Sequence, residues 1–421
     1  MTETSEKITR AILCGVHTGS LDVLNDTTDE SMTELAELAK TAGALVVGTL
    51  VQNKDKPETK AYLGEGKLEE LKNAAETLEA DLIIFDDELT GIQTRNIEDI
   101  VGVRVIDRST LILDIFALRA RSREGKLQVE LAQLKYRLPR LTGMGTALSR
   151  LGGGIGTRGP GETKLESDKR HIRRRIEALE DELRDIERHR TLLRSRREKD
   201  GVLTCTLAGY TNAGKSSLLN ALTQSEEVYA ANQLFATLDP TARSITLPDG
   251  RSVMLVDTVG FIRKLPHHLV KAFRSTLEET IEADVILHVI DSADNNMCQN
   301  IRVVDSLISE LNCKAESVIA VFNKCDVAPP LSPRPEGRYN DYVSISTLTG
   351  EGLDALIDKI SDALPGKKKR IEVLIPYSDS GVAARLHDGE VIYSEEYTDT
   401  GIKVDLLADE ILQAKLKEWI L

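Results

Sequence analysis

The sequence predicts an α/β protein in four parts: an N-terminal α/β domain, a long antiparallel helical hairpin, a second α/β domain with a doubly wound sheet, and a small C-terminal α+β domain. Two regions alternate short β-branched runs with helical patterns, and heptad-spaced apolar residues lie between them. A chain of 421 residues suggests two to four domains at roughly 100–200 residues each. We expect the boundaries 1–116, 117–200, 201–365 and 366–421.

The N-terminal part alternates strands with helices. Apolar residues at helical spacing around 32–39 and 67–78 predict two helices. Strands are predicted at Ala11–Val16, Ala44–Val51, Asp81–Phe85 and Val101–Ile106. Because helical segments separate the strands, the sheet should be parallel.

Two heptad seams predict the hairpin. The first runs through Leu127, Leu131, Leu134, Leu138 and Leu141, and the second through Leu165, Ile172, Ile176, Leu179, Leu183 and Ile186. One seam cannot bury itself, but two joined by a flexible connector can pack as antiparallel helices. Pro139 should end or kink the first helix near Leu138. The second helix, about 30 residues long, should extend roughly 45 Å at ~1.5 Å per residue.

The connector between the seams is rich in glycine. Eight of the nineteen positions from Gly143 to Gly161 are glycine, so no core can form there. The segment is either a linker or a pliable tip that orders against a partner, and the sequence leaves both readings open.

Charge is distributed unevenly along the chain. There are 54 Lys and Arg against 68 Asp and Glu, a net charge of −14, which excludes a protein that coats nucleic acid indiscriminately. Within 117–200, however, 22 basic residues stand against 13 acidic ones, a local +9 that includes Arg173, Arg174 and Arg175 in succession. Salt bridges on the helix faces explain part of this excess. The more specific hypothesis is that the basic segment binds a polyanionic partner.

The second α/β part has near-continuous apolar strands, which is typical of buried parallel strands. They are Val202–Leu207, Ser252–Val256, Val285–Ile290 and Val318–Phe322. The last residues predict two further strands, Ile371–Ile375 and Val391–Tyr393, and a closing amphipathic helix from about Leu406 to Ile420.

The composition argues against secretion and against membrane insertion. The five cysteines are scattered without a CxxC pair, so we expect neither a disulfide framework nor a zinc cluster, and a reducing compartment. There is no apolar leader segment and no run of ~18 apolar residues. We expect a cytoplasmic monomer.

A glycine-rich loop carries the chemistry. Residues 209–216, GYTNAGKS, match GxxxxGK[ST] between a predicted strand and a predicted helix, which is the context of a P-loop. The loop N–H groups should bind phosphate oxygens, with Lys215 at the β- and γ-phosphates and the Ser216 hydroxyl on Mg²⁺. The loop residues expected to bind nucleotide are Gly209, Asn212, Ala213, Gly214, Lys215, Ser216 and Ser217.

Two downstream motifs complete a guanine-nucleotide site. DTVG, residues 257–260, ends a strand, where Asp257 should hold Mg²⁺ and the Gly260 N–H should reach the γ-phosphate. NKCD, residues 323–326, ends another strand. The Asp326 carboxylate suits the N1–H and exocyclic amine of guanine, whereas adenine offers no matching pair of donors. Further nucleotide contacts are expected from Asn323, Lys324, Ser346 and Thr347.

The segment 224–240 has no regular periodicity, as expected of a switch loop. Thr237 is the candidate that closes over Mg²⁺ and the γ-phosphate, with Thr241 as its rival, and Phe235 should contact the nucleotide. The expected catalytic residues are Lys215, Thr237 and Gly260, and the expected Mg²⁺ ligands are Ser216, Thr237 and Asp257.

The residue after the DTVG glycine is Phe261. In many GTPases a glutamine at this position orients the attacking water, and phenylalanine cannot hydrogen-bond to water. We therefore expect slow intrinsic hydrolysis, with the water positioned by another residue or by a partner. Arg243 and Arg263 lie near the switches in sequence, but neither can be assigned as an arginine finger.

These motifs resemble known GTPases. FATLDPT (235–241), DTVGFI and NKCD are similar to translation-factor-related GTPases. Further segments resemble the HflX family of ribosome-associated GTPases: YLGEGK (62–67), DDEL (86–89), RVIDR (104–108), QVELAQLKY (128–136) and GTRGPGET (156–163). The resemblance covers about residues 10–365, and the last ~55 residues match only members with a C-terminal extension.

The resemblance implies a GTPase that docks on the large ribosomal subunit and its rRNA through the basic hairpin and glycine-rich tip, and that splits or rescues stalled ribosomes. The heptads alone favour an alternative, a signalling GTPase whose hairpin binds a protein or dimerises. RNA docking should weaken steeply with salt, and an apolar coiled coil should not. Asp326 argues against an ATPase.

Overall fold

A computed structural model of the chain shows three sheets and a helical hairpin. The structure describes residues 8–18, 28–141, 160–199, 202–223, 234–235, 239–264, 274–328, 339–366, 369–386, 392–408 and 410–421. The α/β architecture, the two parallel sheets and the hairpin predicted from the sequence are confirmed. Within these ranges, no helix has both the length and the apolar character needed to cross a membrane.

The N-terminal part is a four-stranded parallel sheet covered by helices on both faces. Its elements are β1 (Arg10–His17), α1 (Thr28–Thr41), β2 (Leu45–Asn53), α2 (Glu65–Thr77), β3 (Leu82–Phe85), α3 (Gly91–Val101), β4 (Arg104–Asp107) and α4 (Arg108–Arg119). The strand order is β2-β1-β3-β4, with α1 and α4 packed on one face and α2 and α3 on the other. The strand predicted from Val101 begins three residues later, because Gly102, with a φ of 77°, ends α3 in the left-handed conformation.

The hairpin consists of α5 (Arg123–Arg140) and α6 (Pro160–Lys199). Its seam buries Leu127, Leu131 and Leu179, with Leu134, Ile176, Leu183 and Ile186 partly buried around them. Helix α5 continues through Pro139 and ends two residues beyond the predicted position. Helix α6 has 40 residues rather than about 30, because it begins at Pro160, and the fixed φ of proline suits a first helical turn. The connector 142–159 lies outside the described residues.

Many charges on the hairpin are paired across or along its helices. Arg175 donates two hydrogen bonds to the Glu130 carboxylate at 2.7 and 2.8 Å, and Arg173 lies 3.6 Å from Glu166. Salt-bridged helix faces therefore account for part of the basic excess. Arg174 is exposed and forms no ion pair with another described residue, so the excess is not fully neutralised within the hairpin.

The second α/β part contains a six-stranded sheet. Its elements are β5 (Leu203–Gly209), α7 (Lys215–Thr223), β6 (Thr241–Thr246), β7 (Ser252–Asp257), α8 (Arg274–Ile281), β8 (Val285–Asp291), α9 (Met297–Leu311), β9 (Ser317–Asn323), β10 (Asp341–Ser344) and α10 (Leu353–Ala363). The order is β10-β9-β8-β5-β7-β6, and only the edge strand β6 runs antiparallel to its neighbour. The loops after β5, β7 and β9 therefore meet at one edge of the sheet, where ligands bind in such folds.

The C-terminal part is a small antiparallel sheet with two helices. Its elements are β11 (Lys369–Ile375), α11 (Ser380–Leu386), β12 (Ile392–Thr398), β13 (Gly401–Ala408) and α12 (Glu410–Leu416). The helix predicted from Leu406 is wrong over its first part, because Leu406 lies in the central strand β13. Ile402, Val404, Leu406 and Ala408 are all buried at alternate positions, which is the period of a strand.

Candidate nucleotide-binding site

The three motif loops meet at the carboxyl edge of the second sheet. Gly209 ends β5, Asp257 ends β7 and Asn323 ends β9, while Ser346 and Thr347 follow β10. The remaining loop residues assigned from the sequence lie between β5 and the first turn of α7: Asn212, Ala213, Gly214, Lys215, Ser216 and Ser217. The fold thus brings motifs that are far apart in sequence into one cleft.

The glycine-rich loop is fixed to the loop after β7 by backbone hydrogen bonds. The Phe261 N–H donates to the Gly209 carbonyl at 3.1 Å, and the Thr211 N–H donates to the Phe261 carbonyl at 2.8 Å. A Cβ on Gly260 would lie 2.8 Å from Thr211 Cα and 3.1 Å from Lys215 Nζ. Gly260 and Lys215, both assigned to the γ-phosphate from the sequence, therefore border the same small space.

Lys215 and Ser216 begin α7 opposite the end of β7. Lys215 Nζ donates to the carbonyls of Gly209 at 3.1 Å and Tyr210 at 2.8 Å. Burial lowers the pKa of the Lys215 ammonium to about 8, against the opposing effect of Asp257. Ser216 Oγ donates to Asp257 Oδ2 at 2.6 Å. A hydroxyl and a carboxylate oxygen are the ligand types that Mg²⁺ prefers, so this donor set fits the metal.

The NKCD loop is attached to the glycine-rich loop through one side chain. Asn323 Nδ2 donates to the Ala213 carbonyl at 3.0 Å, and Asn323 Oδ1 accepts from the Thr347 N–H at 3.1 Å. Gly214 has a φ of 94°, and a Cβ there would collide with Asn323 Nδ2, so only glycine fits. Asn323 therefore organises the loops as well as belonging to the motif.

The other residues expected at the base end of the site, where the guanine ring would bind, lie near Asn323. Lys324 Nζ lies 2.5 Å from Asp291 Oδ2, and Asp326 is exposed at the end of the loop. Ser346 is fully buried, and its hydroxyl accepts from the Thr349 N–H at 3.1 Å. The Asp326 carboxylate is thus exposed, while contacts of Lys324 and Ser346 hold the loops beside it.

The first switch segment, 224–240, contacts the N-terminal part of the chain. Thr237 lies outside the described residues, which here are 234, 235, 239 and 240. The structure places the Phe235 side chain away from the cleft: it is 2% exposed, and its ring meets the Phe116 ring edge to face with centroids 4.7 Å apart. Val259 and Ile262, from the loop after β7, join the same cluster on α1 and α4.

The same switch segment also holds the base of the hairpin. The Asp239 carboxylate accepts from the N–H groups of Arg121 at 2.9 Å and Ser122 at 2.8 Å. Ser122 is the N-cap of α5 and accepts from the Gly125 N–H at 2.8 Å. A Cβ on Gly125 would collide with Asp239 Oδ1, so glycine allows this carboxylate to approach the positive end of the helix.

A group of buried charges attaches the second switch segment, residues 258–264, to the N-terminal part. Arg108 is 2% exposed, pairs with Glu34, and pairs with Asp86 at 2.8 Å. Arg108 also donates to the Arg263 carbonyl at 3.3 Å, and Lys264 Nζ lies 2.5 Å from Asp86 Oδ2. Burial raises the pKa of the Asp86 carboxyl, but Arg108 and Lys264 outweigh that effect and hold the pKa below its ordinary value.

Two residues bridge this group to the glycine-rich loop. The Tyr210 hydroxyl bonds to Glu34 and accepts from the Arg263 N–H at 2.9 Å. The Arg263 guanidinium pairs with Glu30 at 2.9 Å, so it is engaged by α1. Sequence reasoning missed these contacts, because Glu30 and Glu34 lie far along the chain from Tyr210 and Arg263 and no local pattern links them.

The hairpin also contacts the helix that follows the second switch segment. Arg190 of α6 lies 3.0 Å from Glu124 of α5 and 3.4 Å from Glu278 of α8. Arg194 lies 3.6 Å from both Glu278 and Glu279. These groups are about one-fifth exposed, and they join both hairpin helices to the second α/β part.

Three sequence families match successive stretches of the chain. They are described as GTP-binding GTPase N-terminal (residues 29–117), GTP-binding GTPase Middle Region (119–197) and 50S ribosome-binding GTPase (204–324). GTPase HflX of Caldanaerobacter subterraneus subsp. tengcongensis is 49% identical over 421 residues, covering 100% of this chain and 96% of the relative. GTPase HflX of Escherichia coli K12 is 42% identical and covers 88% of each chain.

A solved structure also aligns over most of the chain. It is a GTP-binding protein from Sulfolobus solfataricus in complex with GDP, 27% identical, covering 85% of this chain and 98% of that one, with a TM-score of 0.44.

Proposed function

The chain belongs to the GTPase HflX family, and we propose that it docks on the large ribosomal subunit and splits or rescues stalled ribosomes in the cytoplasm. Family membership makes it a ribosome-associated GTPase that binds GTP and hydrolyses it to GDP and phosphate. The observation that carries the proposal is the attachment of both switch segments to the N-terminal part and the hairpin base.

We propose that the nucleotide occupies the cleft formed by the three motif loops. The glycine-rich loop and Lys215 would hold the phosphates, Gly260 would meet the γ-phosphate, and Asp326 would select guanine. Ser216 and Asp257 would hold Mg²⁺, which neutralises phosphate charge when bound. Thr237 as a further metal ligand stays a prediction from the sequence. The bonds from Asn323 to Ala213 and from Thr211 to Phe261 support a single site.

The switch contacts support a link between the nucleotide and the hairpin. Switch segments of GTPases are ordered by the γ-phosphate and released on hydrolysis. Here Phe235 packs on α4, Asp239 binds the first turn of α5, and Arg263 pairs with α1. A rearrangement of these residues must change how the hairpin is held, which would make docking depend on the bound nucleotide.

Two observations favour ribosomal RNA over dimerisation as the role of the hairpin. The apolar seam is already buried between α5 and α6 of the same chain, so it needs no second copy. Arg174 is exposed on α6 and available to phosphate groups. Part of the matched family is described as a 50S ribosome-binding GTPase, which agrees with this partner.

Co-sedimentation with purified ribosomal subunits tests the proposal. We expect the protein to pellet with the large subunit in a non-hydrolysable GTP analogue and less in GDP, and binding to fall steeply between about 50 and 200 mM salt. Arg174→Glu should weaken binding, whereas Lys417→Glu, the same charge change in the C-terminal part, should not. Equal binding with both nucleotides would contradict nucleotide-dependent docking.

Large subunits should also accelerate GTP turnover. A turnover rate that large subunits leave unchanged would contradict the coupling between docking and hydrolysis.

A further inference from the structure

Phe261 leaves the attacking water without the residue that usually orients it. The Phe261 side chain is 2% exposed and packs in a cluster with Leu277, Ile286 and Val304. Its ring therefore lies in the core under α8 and α9, away from the cleft. The role must fall to another group at the γ-phosphate end or to a partner.

Thr211 lies directly beside this position. Its N–H donates to the Phe261 carbonyl at 2.8 Å, which fixes the two residues together. A Cβ on Gly260 would lie 2.8 Å from Thr211 Cγ2 and 3.1 Å from Lys215 Nζ. The Thr211 methyl group and the Lys215 ammonium therefore both lie against Gly260, the residue assigned to the γ-phosphate.

The Thr211 hydroxyl differs from the hydroxyls of Thr206 and Thr258. Thr211 is 6% exposed, and among the described residues its Oγ1 has no hydrogen-bond partner. By contrast, Thr258 Oγ1 donates to the Leu207 carbonyl at 2.7 Å, and Thr206 Oγ1 donates to the Glu279 carbonyl at 2.8 Å. Buried hydroxyls are nearly always paired, so an orphan at this place indicates a partner that comes with the ligand.

The surroundings leave room for that partner. Thr211 lines a cavity of about 350 Å³ that lies between α1 and the glycine-rich loop, together with Tyr210, Asn212 and Arg263. Thr211 thus lies beside Gly260 and at the wall of a cavity large enough to admit water, while its hydroxyl oxygen is itself buried.

We propose that the Thr211 hydroxyl accepts a hydrogen bond from the water that attacks the γ-phosphate, the role a glutamine has in many GTPases. This inference rests on the nucleotide site proposed above. The water oxygen bonds to the γ-phosphorus, the bond from that phosphorus to the β–γ bridging oxygen breaks with its electron pair going to GDP, and the water proton goes to the released phosphate. Thr211 orients the water and is itself unchanged.

Single-turnover hydrolysis by the full chain tests this. Thr211→Val removes the hydroxyl at nearly constant volume, and we expect hydrolysis of bound GTP to slow about a hundredfold with GDP affinity unchanged. Thr211→Ser keeps the hydroxyl and should retain a rate close to wild type. Thr206→Val is the matched control: it removes a paired hydroxyl from β5, so it should lower the unfolding temperature and leave hydrolysis of bound GTP unchanged.

The outcomes separate this inference from the site on which it rests. A Thr211→Val protein that hydrolyses GTP at the wild-type rate would overturn it. So would a Thr211→Ser protein as slow as Thr211→Val, since the methyl contact with Gly260 would then be what matters. Thr211→Val should also unfold at the same temperature as wild type or higher, and a loss as large as that of Thr206→Val would indicate a purely structural role. Failure of the wild type to bind GDP would instead contradict the proposed site.

Discussion

The two ends of the candidate site are built from different parts of the molecule. At the base end, Asn323 bonds to Ala213 and Thr347, and all three residues belong to the second α/β part. At the γ-phosphate end, Phe235 and Asp239 are held by residues of the N-terminal part and the hairpin base. Base selection can therefore depend on the second α/β part alone. The residues at the γ-phosphate end, in contrast, contact the N-terminal part and the hairpin base.

The two ends also differ in the kind of contact that holds them. The contacts at the γ-phosphate end combine an aromatic pair and other apolar side chains with ion pairs such as Arg263 with Glu30. Buried ion pairs contribute little net stability, because the cost of removing charges from water offsets their attraction. We therefore expect the apolar contacts around Phe235, rather than the ion pairs, to supply most of the stability of this interface.

The largest expected effect belongs to the base end. Asp326→Asn should lower GDP affinity by about 10³-fold or more and create affinity for xanthine nucleotides, because an amide then fits a carbonyl where the carboxylate fitted an amine. Calorimetric titration with GDP and XDP measures both, with Asp354→Asn on α10 as the control. Because the Asp326 side chain is exposed, the unfolding free energy should stay near wild type. Retained guanine selectivity would contradict the base assignment.

Phe235→Ala tests the γ-phosphate end. Removing a buried aromatic ring typically costs about 3–5 kcal/mol, so urea unfolding should show a loss of that size. GDP affinity should be kept, because the base end does not depend on this contact, while nucleotide-dependent ribosome binding should be lost. Phe85→Ala, in the other face of the N-terminal sheet, is a matched control for stability alone. A fall in GDP affinity as large as that of Asp326→Asn would show that base binding also depends on the Phe235 contact.

Asp239→Ala tests the attachment of the switch to the hairpin. It removes hydrogen bonds and a negative charge at the start of α5, and we expect a loss of about 1–2 kcal/mol in unfolding free energy. Gly125→Ala should have a similar effect, because its Cβ displaces the same carboxylate. The double variant should cost less than the sum of the two. Additive losses would mean that the two residues act independently.

The smallest expected effect is a pH dependence at Asp86. Its pKa is lowered in the folded protein, so its contribution to stability is complete above the unfolded value of about 3.9 and is lost as the pH falls through the lower folded value. The difference in unfolding free energy between wild type and Asp86→Asn should therefore shrink below about pH 4. A difference that stays constant down to acid unfolding would show that Asp86 carries no charge-dependent contact.

Sequence reasoning worked where the signal is local. The strands that were predicted in the two sheets, the two hairpin seams and the three motif loops each carry a local signal, because period and turn chemistry act over short stretches of the chain. The edge strand β6 was not among the predicted strands. Sequence reasoning failed at Leu406, where an apolar stretch was assigned the wrong period, and at Val101, where Gly102 ends a helix. A short apolar run is compatible with a strand or with a helix, and its packing against neighbouring elements determines which of the two forms.

Short motifs in the sequence predict the kind of site: the glycine-rich loop at 209–216, DTVG at 257–260 and NKCD at 323–326 are each contiguous along the chain. The surroundings of the γ-phosphate end depend instead on how the folded parts pack. The hydrogen bond from Arg121 to Asp239 joins residues 118 positions apart, Phe235 is buried on a helix of another part, and the Thr211 hydroxyl is left without a partner among the described residues. Such facts follow from how sheets and helices pack, and packing depends on the whole chain rather than on any short stretch of it.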